Sequence, residues 1–106
     1  SGNDDEAVTA MALGAKGLIS VLSNVRPKKT LAMLRACQKN DFRTAGRLQR
    51  ELMELIGALF CEVNPIPVKA VLADMGLCRE EYRLPLCPLS GEKRGMLREI
   101  AGSVRE

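Results

Sequence analysis

Groups that could act as nucleophiles, acids or bases are few in this chain of 106 residues. The chain has no histidine, which removes the commonest general base and the usual catalytic triads. Ser20 and Ser23 therefore have no obvious base partner. Asp4 and Asp5 are adjacent carboxylates, but at the start of a predicted helix such residues are more often caps than catalytic acids. These residues by themselves do not predict an enzyme.

Lysine is the remaining candidate nucleophile. A lysine that forms a Schiff base must be desolvated so that its amine is neutral near pH 7. Lys16 precedes an apolar stretch and lies beside glycines, and Lys69 opens a predicted helix after Pro67. The other lysines lie on polar faces of predicted helices: Lys28, Lys29, Lys39 and Lys93. The residues therefore predict no Schiff-base lysine and no catalytic residue in this chain.

The four cysteines do not form a metal-binding pattern. Their spacings are long and irregular, no C-x-x-C pair occurs, and histidine ligands are absent. We therefore expect no metal and no cofactor. Each cysteine lies in a mainly apolar stretch and is predicted to be a buried or half-buried thiol, which suits the reducing cytoplasm: Cys37, Cys61, Cys78 and Cys87.

Charge and composition argue against nucleic-acid and membrane partners. The formal net charge is +3 and aromatic residues make up 3% of the chain, so neither a basic surface nor a base-stacking surface is predicted. The one dense basic run, Arg26 to Lys29, is predicted to be a solvated first helical turn. No apolar run is long enough to span a bilayer.

Apolar periodicity predicts a mainly α-helical chain. A short first helix is capped by Asp4 or Asp5 and stops at Gly14. Two further helices are predicted in the middle of the chain: one from Pro27 to about Lys39, with inward residues Leu31, Leu34, Ala36 and Cys37, and one capped by Asp41 that ends near Cys61, with inward residues Phe42, Ala45, Leu48, Leu52, Leu55, Ile56 and Leu59. Two more follow: one that ends at Gly76, with inward residues Val68, Val71, Leu72 and Met75, and a last one capped by Ser90, with inward residues Leu97, Ile100, Ala101 and Val104.

The stretch GLISVL, from Gly17 to Leu22, predicts a short buried strand. A single strand leaves its backbone donors and acceptors without partners. The chain must therefore supply a second strand or lack the rest of its sheet.

The stretch NPIPVK, from Asn64 to Lys69, is a stiff joint between two predicted helices. Its two prolines restrict the backbone, and the polar Asn64 stands at its tip. A helix-to-helix corner explains the prolines. A loop that holds Asn64 in one position for a ligand explains both features.

Four blocks, in this order and spacing over residues 1 to about 90, resemble the dihydrodipicolinate synthase family: SGNDD, GAKGLISVLSNVRPK, ALFCEVNPIPVKAVLADMGL and RLPLCPLS. The resemblance is to the carboxy-terminal portion of that family. It implies the end of a (β/α)8 TIM barrel, with strand eight and its flanking helices, followed by a three-helix carboxy-terminal extension. Residues 1–40 are then the last βα units, and residues 41–106 are the extension. A whole barrel needs about 250 residues.

The resemblance also implies an activity for the parent enzyme, a lyase that condenses pyruvate with aspartate semialdehyde on the diaminopimelate route to lysine. Gly2 and Asn3 would line the mouth of the active site, with Asp4 beside them. Ile19 would present its backbone carbonyl near pyruvate, and Asn64 would reach over the mouth. Many members have an aspartate where this chain has Asn3. The family's Schiff-base lysine and its other catalytic residues belong to earlier parts of the family sequence.

The partners implied are therefore pyruvate and aspartate semialdehyde, and we expect a homo-oligomer in the cytoplasm. Two alternatives stay open. The chain could belong to another pyruvate-dependent lyase, such as N-acetylneuraminate lyase, or be a freestanding helical module whose apolar stripes face a partner.

Overall fold

Five helices account for most of the chain in the computed structural model, which describes residues 1–106. In chain order they are α1 (Ala7–Ala12), α2 (Pro27–Gln38), α3 (Phe42–Ala58), α4 (Ile66–Asp74) and α5 (Gly91–Ser103). Single 3₁₀ turns precede α1, at Asp4–Glu6, and α2, at Leu22–Asn24. The mainly α-helical prediction is confirmed. None of the helices is both long and apolar enough to cross a membrane.

The helix ends are formed by the capping residues and glycines that the sequence predicts. The Asp41 side chain accepts a hydrogen bond from the Thr44 amide (3.2 Å), and the Ser90 hydroxyl accepts one from the Lys93 amide (3.4 Å). Both residues thereby satisfy a backbone donor that a helix start leaves free. Gly14 (φ 105°) and Gly76 (φ 75°) adopt left-handed backbone conformations where α1 and α4 end, which a residue without a side chain adopts at no steric cost.

Helix α3 carries the hydrophobic core. Its inward stripe is almost fully buried: Ala45, Leu48, Leu52, Leu55 and Ile56, continued by Leu59 just after the helix. The stripe packs against α1, α2 and α5. One continuous cluster joins it to Leu22 and Met33 from the first part of the chain and to Val71 and Leu97 from the last. The segments 1–40 and 41–106 therefore share a core, and their division into two structural units stays a prediction.

The structure of this chain contains no strand over Gly17–Leu22, so the predicted strand is not confirmed. Residues 15–20 have no regular secondary structure, and Leu22 begins a 3₁₀ turn. Only one neighbouring backbone lies beside the segment: the Ser1 amino group donates to the Gly17 carbonyl (3.0 Å), and the Ile19 amide donates to the Ser1 carbonyl (2.9 Å). These two bonds have the arrangement of parallel strands. A strand needs a longer ladder than Ser1 supplies.

Three residues predicted to face inward are exposed. Leu31 is 46% exposed, Phe42 is 38% exposed and Met75 is 44% exposed. On α2, Ala36 and Cys37 are buried as predicted, and Thr30 and Met33 complete the buried side. Periodicity locates an apolar face only to within a residue or two at each end of a helix, since neighbouring elements decide which residues are covered.

Arg26 is buried, which corrects the prediction that Arg26 to Lys29 form a solvated turn. The residue is 8% exposed, and its guanidinium donates to the carbonyl oxygens of Val25, Ala101 and Val104, each at 2.6 Å. Two of these carbonyls lie at the end of α5, where backbone acceptors lack helical partners. In return, the Glu106 carboxylate accepts the Lys28 and Lys29 amides (3.1 Å each) at the start of α2. This reciprocal pair ties the end of the chain to α2.

Replacing Arg26 by methionine keeps the length of the side chain but removes every donor. The buried carbonyls would lose their partners, at about 1–3 kcal/mol for each group left unsatisfied. We expect Arg26→Met to lower the free energy of unfolding, measured by urea titration, by several kcal/mol. Arg105→Met is the matched control, because Arg105 is exposed and makes no side-chain hydrogen bond. Equal urea midpoints for the two variants would contradict the structural role of Arg26.

Candidate functional site

The amino-terminal segment and the loop before α2 lie side by side. The pairing of Ser1 with Gly17 and Ile19 places Gly2 next to the residues that flank Ile19. The Ile19 side chain is 85% exposed, and its carbonyl oxygen accepts no hydrogen bond within the chain. Ile19 therefore presents an unpaired backbone acceptor and an uncovered apolar side chain on one surface.

Asp4 joins these two segments through its buried carboxylate. Asp4 is 2% exposed, and one of its oxygens accepts the amides of Val21 and Leu22, both at 3.0 Å. The other oxygen accepts a short hydrogen bond from the Ser20 hydroxyl. Asp4 therefore does not serve as the cap of α1 that the sequence predicts, because its acceptors are directed to a loop far along the chain.

Asn3 lies at a cleft between the amino-terminal segment and the end of α3. The cleft has a volume of about 300 Å³ and is lined by Asn3, Asp4, Asp5, Met53, Ile56, Gly57 and Phe60. The Asn3 amide nitrogen lies 3.5 Å from a carboxylate oxygen of Glu6. Gln49 on α3 connects the two walls, since it donates to the Asp4 carbonyl (3.0 Å) and accepts the Val8 amide (3.1 Å).

Asn64 stands on the loop that follows α3, four residues after Phe60 of the cleft. Its side chain is exposed and forms no hydrogen bond with any other residue of the chain, including Gly2, Asn3 and Ile19. The peptide bond that joins Asn64 to Pro65 is cis. The structure thus places Gly2 directly after the residue that pairs with Ile19, and it places Asn3 across a cleft from the end of α3 that leads to Asn64. It shows no direct contact between Asn64 and the other three residues.

The loop that carries Asn64 is held on both sides. Before it, the Lys93 ammonium donates to the Cys61 carbonyl (3.2 Å) and to the Glu62 carboxylate (2.6 Å). The hydrogen bond from Lys93 lowers the pKa of Glu62, and the same bond raises the pKa of Lys93. After it, the Tyr82 hydroxyl lies 3.1 Å from the Ile66 carbonyl. The backbone is therefore anchored while the Asn64 side chain stays free.

A charged network supports the Tyr82 contact. Arg94 forms a bidentate ion pair with Glu80, and the Tyr82 hydroxyl lies 3.0 Å from the same carboxylate. Burial and the hydrogen bond to Glu80 raise the pKa of Tyr82 to about 12, so the phenol stays a donor at neutral pH. The hydrogen bond from Arg94 lowers the pKa of Glu80. The Lys69 ammonium lies 5.4 Å from the centre of the Tyr82 ring.

The predictions from sequence missed these supporting residues. Gln49, Tyr82 and Lys93 act on partners that lie far away in the chain, and no local spacing indicates such pairs. Asp4 was expected beside the mouth, but its bonds to the loop after Ile19 were not predicted. The one available signal was a polar residue inside an otherwise apolar or charged pattern, such as Tyr82 between charged residues. No group of three or more His, Cys, Asp or Glu side chains could hold a metal ion. The site therefore offers hydrogen-bonding groups and backbone acceptors for binding.

Parallel pairing beneath a helical layer, with polar groups where the paired segments end, is typical of the rim of an α/β fold. Comparison with known proteins gives the family. Residues 1–103 match the model of the dihydrodipicolinate synthetase family, and the chain belongs to this family.

The matching relatives are 4-hydroxy-tetrahydrodipicolinate synthases. The one from Aquifex aeolicus is 45% identical over 100 residues, which are 94% of this chain and 34% of the relative. The one from Exiguobacterium sibiricum is 54% identical over 85 residues, which are 80% of this chain and 29% of the relative. The chain thus spans about a third of the length of these relatives.

Solved structures agree with this assignment. The crystal structure of dihydrodipicolinate synthase from Aquifex aeolicus superposes with a TM-score of 0.95 at 44% identity. The superposition covers 97% of this chain and 35% of the Aquifex chain. The enzyme from Acinetobacter baumannii, complexed with pyruvate, superposes with a TM-score of 0.91 at 41% identity, and covers 98% of this chain and 37% of its own.

The pair of Glu80 and Arg94 generates a pH prediction. The folded pKa of Glu80 lies below its ordinary value of 4.5, so its stabilisation is complete above that pH and is lost as the pH falls through the folded pKa. We expect Glu80→Gln to lower the free energy of unfolding at pH 7 by about 1.5–3 kcal/mol, the range for a hydrogen bond to a charged group. The difference from the unaltered chain should shrink on acidification to about pH 3.

Glu81→Gln is the matched control, because the Glu81 side chain is 74% exposed and its pair with Arg79 is distant (3.7 Å). It should change stability little at either pH. A Glu80→Gln deficit that stays constant from neutral to acid pH would show that the charge of Glu80 does not matter.

Proposed function

We propose that this chain forms the closing part of a 4-hydroxy-tetrahydrodipicolinate synthase, a lyase that condenses pyruvate with aspartate semialdehyde on the diaminopimelate route to lysine. In this proposal residues 1–40 complete a (β/α)8 barrel, and residues 41–106 are its helical extension. Family membership supports the activity. The parallel pairing of Ser1 with residues 17–19 supports the barrel, because it starts a sheet whose other strands belong to the remaining two thirds of the enzyme.

One observation carries the proposed site: an anchored loop with an unoccupied polar tip. Asn64 makes no side-chain hydrogen bond, although the backbone on either side of it is held by Lys93 and Tyr82. Because the backbone on both sides is already held, binding a substrate has to order only the Asn64 side chain. We assign the Asn64 carboxamide to aspartate semialdehyde, which carries carbonyl and carboxylate acceptors.

The other site residues follow from the same placement. The Ile19 carbonyl is an unpaired acceptor at the end of a paired segment, and active sites of barrels lie at that end of the strands. We propose that the Ile19 carbonyl lies near the reacting pyruvate. Gly2 and Asn3 line the mouth beside it. Asn3 acts as a neutral hydrogen-bonding group here.

The Schiff base to pyruvate is assigned to a lysine outside this chain. No lysine of the chain is buried, and two of the least exposed are already bonded: Lys69 to the Glu81 carbonyl and Lys93 to Glu62. A desolvated neutral amine is what Schiff-base formation requires. We further propose a cytoplasmic homo-oligomer as the working form, in keeping with four cysteines that form no disulfide.

The proposed function is tested by transplanting residues 1–106 into the Aquifex aeolicus synthase in place of its matched third. The chimera should form a borohydride-trapped pyruvate adduct and consume aspartate semialdehyde, and the unaltered Aquifex enzyme is the positive control. The isolated chain should form no adduct, as measured by intact mass. A folded but inactive chimera would overturn the proposed function, and a stoichiometric adduct on the isolated chain would overturn the assignment of the lysine.

Asn64 allows a sharper test in the same chimera. Asn64→Ala removes a side chain without partners in the folded chain, so we expect an unchanged melting temperature. Loss of a hydrogen bond to substrate is worth about 0.5–1.5 kcal/mol for a neutral group and about 1.5–3 kcal/mol for a charged one. The value of kcat/KM for aspartate semialdehyde should therefore fall by between a few-fold and about a hundred-fold.

Formation of the pyruvate adduct should change less in Asn64→Ala. Gln38→Ala is the control, since Gln38 is an exposed amide at the end of α2 without a side-chain bond. Normal kinetics together with a melting temperature lowered by several degrees would mean that Asn64 is part of a structural corner and not of the site.

A further inference from the structure

Asp4 is a buried carboxylate without a basic partner. It is 2% exposed, and no lysine or arginine forms an ion pair with it. Its charge is balanced only by the Ser20 hydroxyl and by the amides of Val21 and Leu22. Burying a carboxylate is costly unless all its acceptor positions are used, so this arrangement needs a reason beyond general stability.

Capping of the 3₁₀ turn at Leu22–Asn24 is not a sufficient reason. Ser20 already caps this turn from within the loop, because its hydroxyl oxygen accepts the Ser23 amide at 2.9 Å. A carboxylate from a segment sixteen residues earlier adds a cross-link between segments to a cap that already exists. The Asp4 carbonyl, which accepts Gln49 of α3 at 3.0 Å, connects a third element to the same point.

The position of this cross-link matters for the site. Asp4 directly follows Gly2 and Asn3, and its three donors directly follow Ile19. The backbone pairing with Ser1 holds Ile19 on one side of Gly2 and Asn3, and the Asp4 side chain holds the residues after Ile19 on the other. Gln49 adds the link to α3, the helix that leads to Asn64.

We propose that Asp4 is a positioning residue of the synthase site: it holds the Ile19 carbonyl in register with Gly2 and Asn3. The inference rests on the proposed function, because it assigns Asp4 an effect on pyruvate through Ile19. Asp4 itself touches no substrate. Its replacement acts by letting the loop from Ile19 to Leu22 move relative to the amino-terminal segment.

The test uses the chimera described above with Asp4→Asn. Asparagine keeps the size and one acceptor oxygen, which can still accept from Val21 and Leu22. Its NH₂ group then faces the Ser20 hydroxyl and cannot accept from it, and the negative charge is lost. A displacement of about 1 Å at a site costs up to about a hundred-fold in rate. We expect kcat/KM for pyruvate to fall by about ten- to a hundred-fold, with a much smaller change in KM for aspartate semialdehyde. This is the reverse of the pattern expected for Asn64→Ala.

Asp41→Ala is the matched control for stability. Asp41 also accepts a backbone amide through its carboxylate, but it caps α3 away from the mouth. Its loss should lower the melting temperature and leave kcat/KM for pyruvate unchanged. Equal losses of kcat/KM in Asp4→Asn and Asp41→Ala would overturn the inference, because general destabilisation would then explain both.

If Asp4→Asn does not fold, Ser20→Ala tests the positioning role of Asp4. It removes one of the three donors to Asp4 and should lower kcat/KM for pyruvate in the same direction by a smaller factor. In the isolated chain, Asp4→Asn should shift the amide resonances of Val21 and Leu22 more than any others in residues 15–25. Unchanged kinetics in Ser20→Ala, or unchanged amide resonances, would contradict the positioning role. Failure of the unaltered chimera alone would instead contradict the proposed function.

Discussion

Burial of the apolar stripe of α3 is the interaction on which the other features depend. Leu52, Leu55 and Leu59 are fully buried along it, and each buried leucine contributes about 1.5–3 kcal/mol relative to an exposed one. The stripe contacts α1 and α2 on one side and α5 on the other. Without α3 the short helices would lose their common surface, because a helix of six residues such as α1 is not stable by itself.

The two loops that carry the candidate site residues are attached to this core by polar groups. Asp4 and Gln49 hold the amino-terminal segment and the Ile19 loop against α3. Lys93 of α5 holds the residues before Asn64, and Tyr82 holds the Ile66 carbonyl after it. Apolar packing gives the core its stability but tolerates small shifts, whereas hydrogen bonds with fixed geometry set the position of a loop more closely. The chain thus uses its core for stability and its few buried polar contacts for position.

The helices were the part of the fold that local sequence could predict. Asp41 and Ser90 as caps and Gly14 and Gly76 as stops were confirmed, since each depends on a residue and its immediate neighbours. The strand predicted over Gly17–Leu22 is not formed in this chain, because a strand depends on a neighbour that its own sequence does not describe. Arg26 was wrongly predicted to be solvated for a similar reason: its acceptors lie at the far end of the chain.

By itself the sequence determined the helical class, most helix ends and, through four short blocks, the family. Those properties depend on side-chain propensities and on residue order. Only the tertiary structure decided that Asp4 binds the loop after Ile19 and does not cap α1. It also decided that Arg26 is buried against the end of α5, and that Asn64 has no partner on an anchored loop. The physical reason is that hydrogen-bond partners are chosen by proximity in space, and packing on α3 brings together residues that the chain separates.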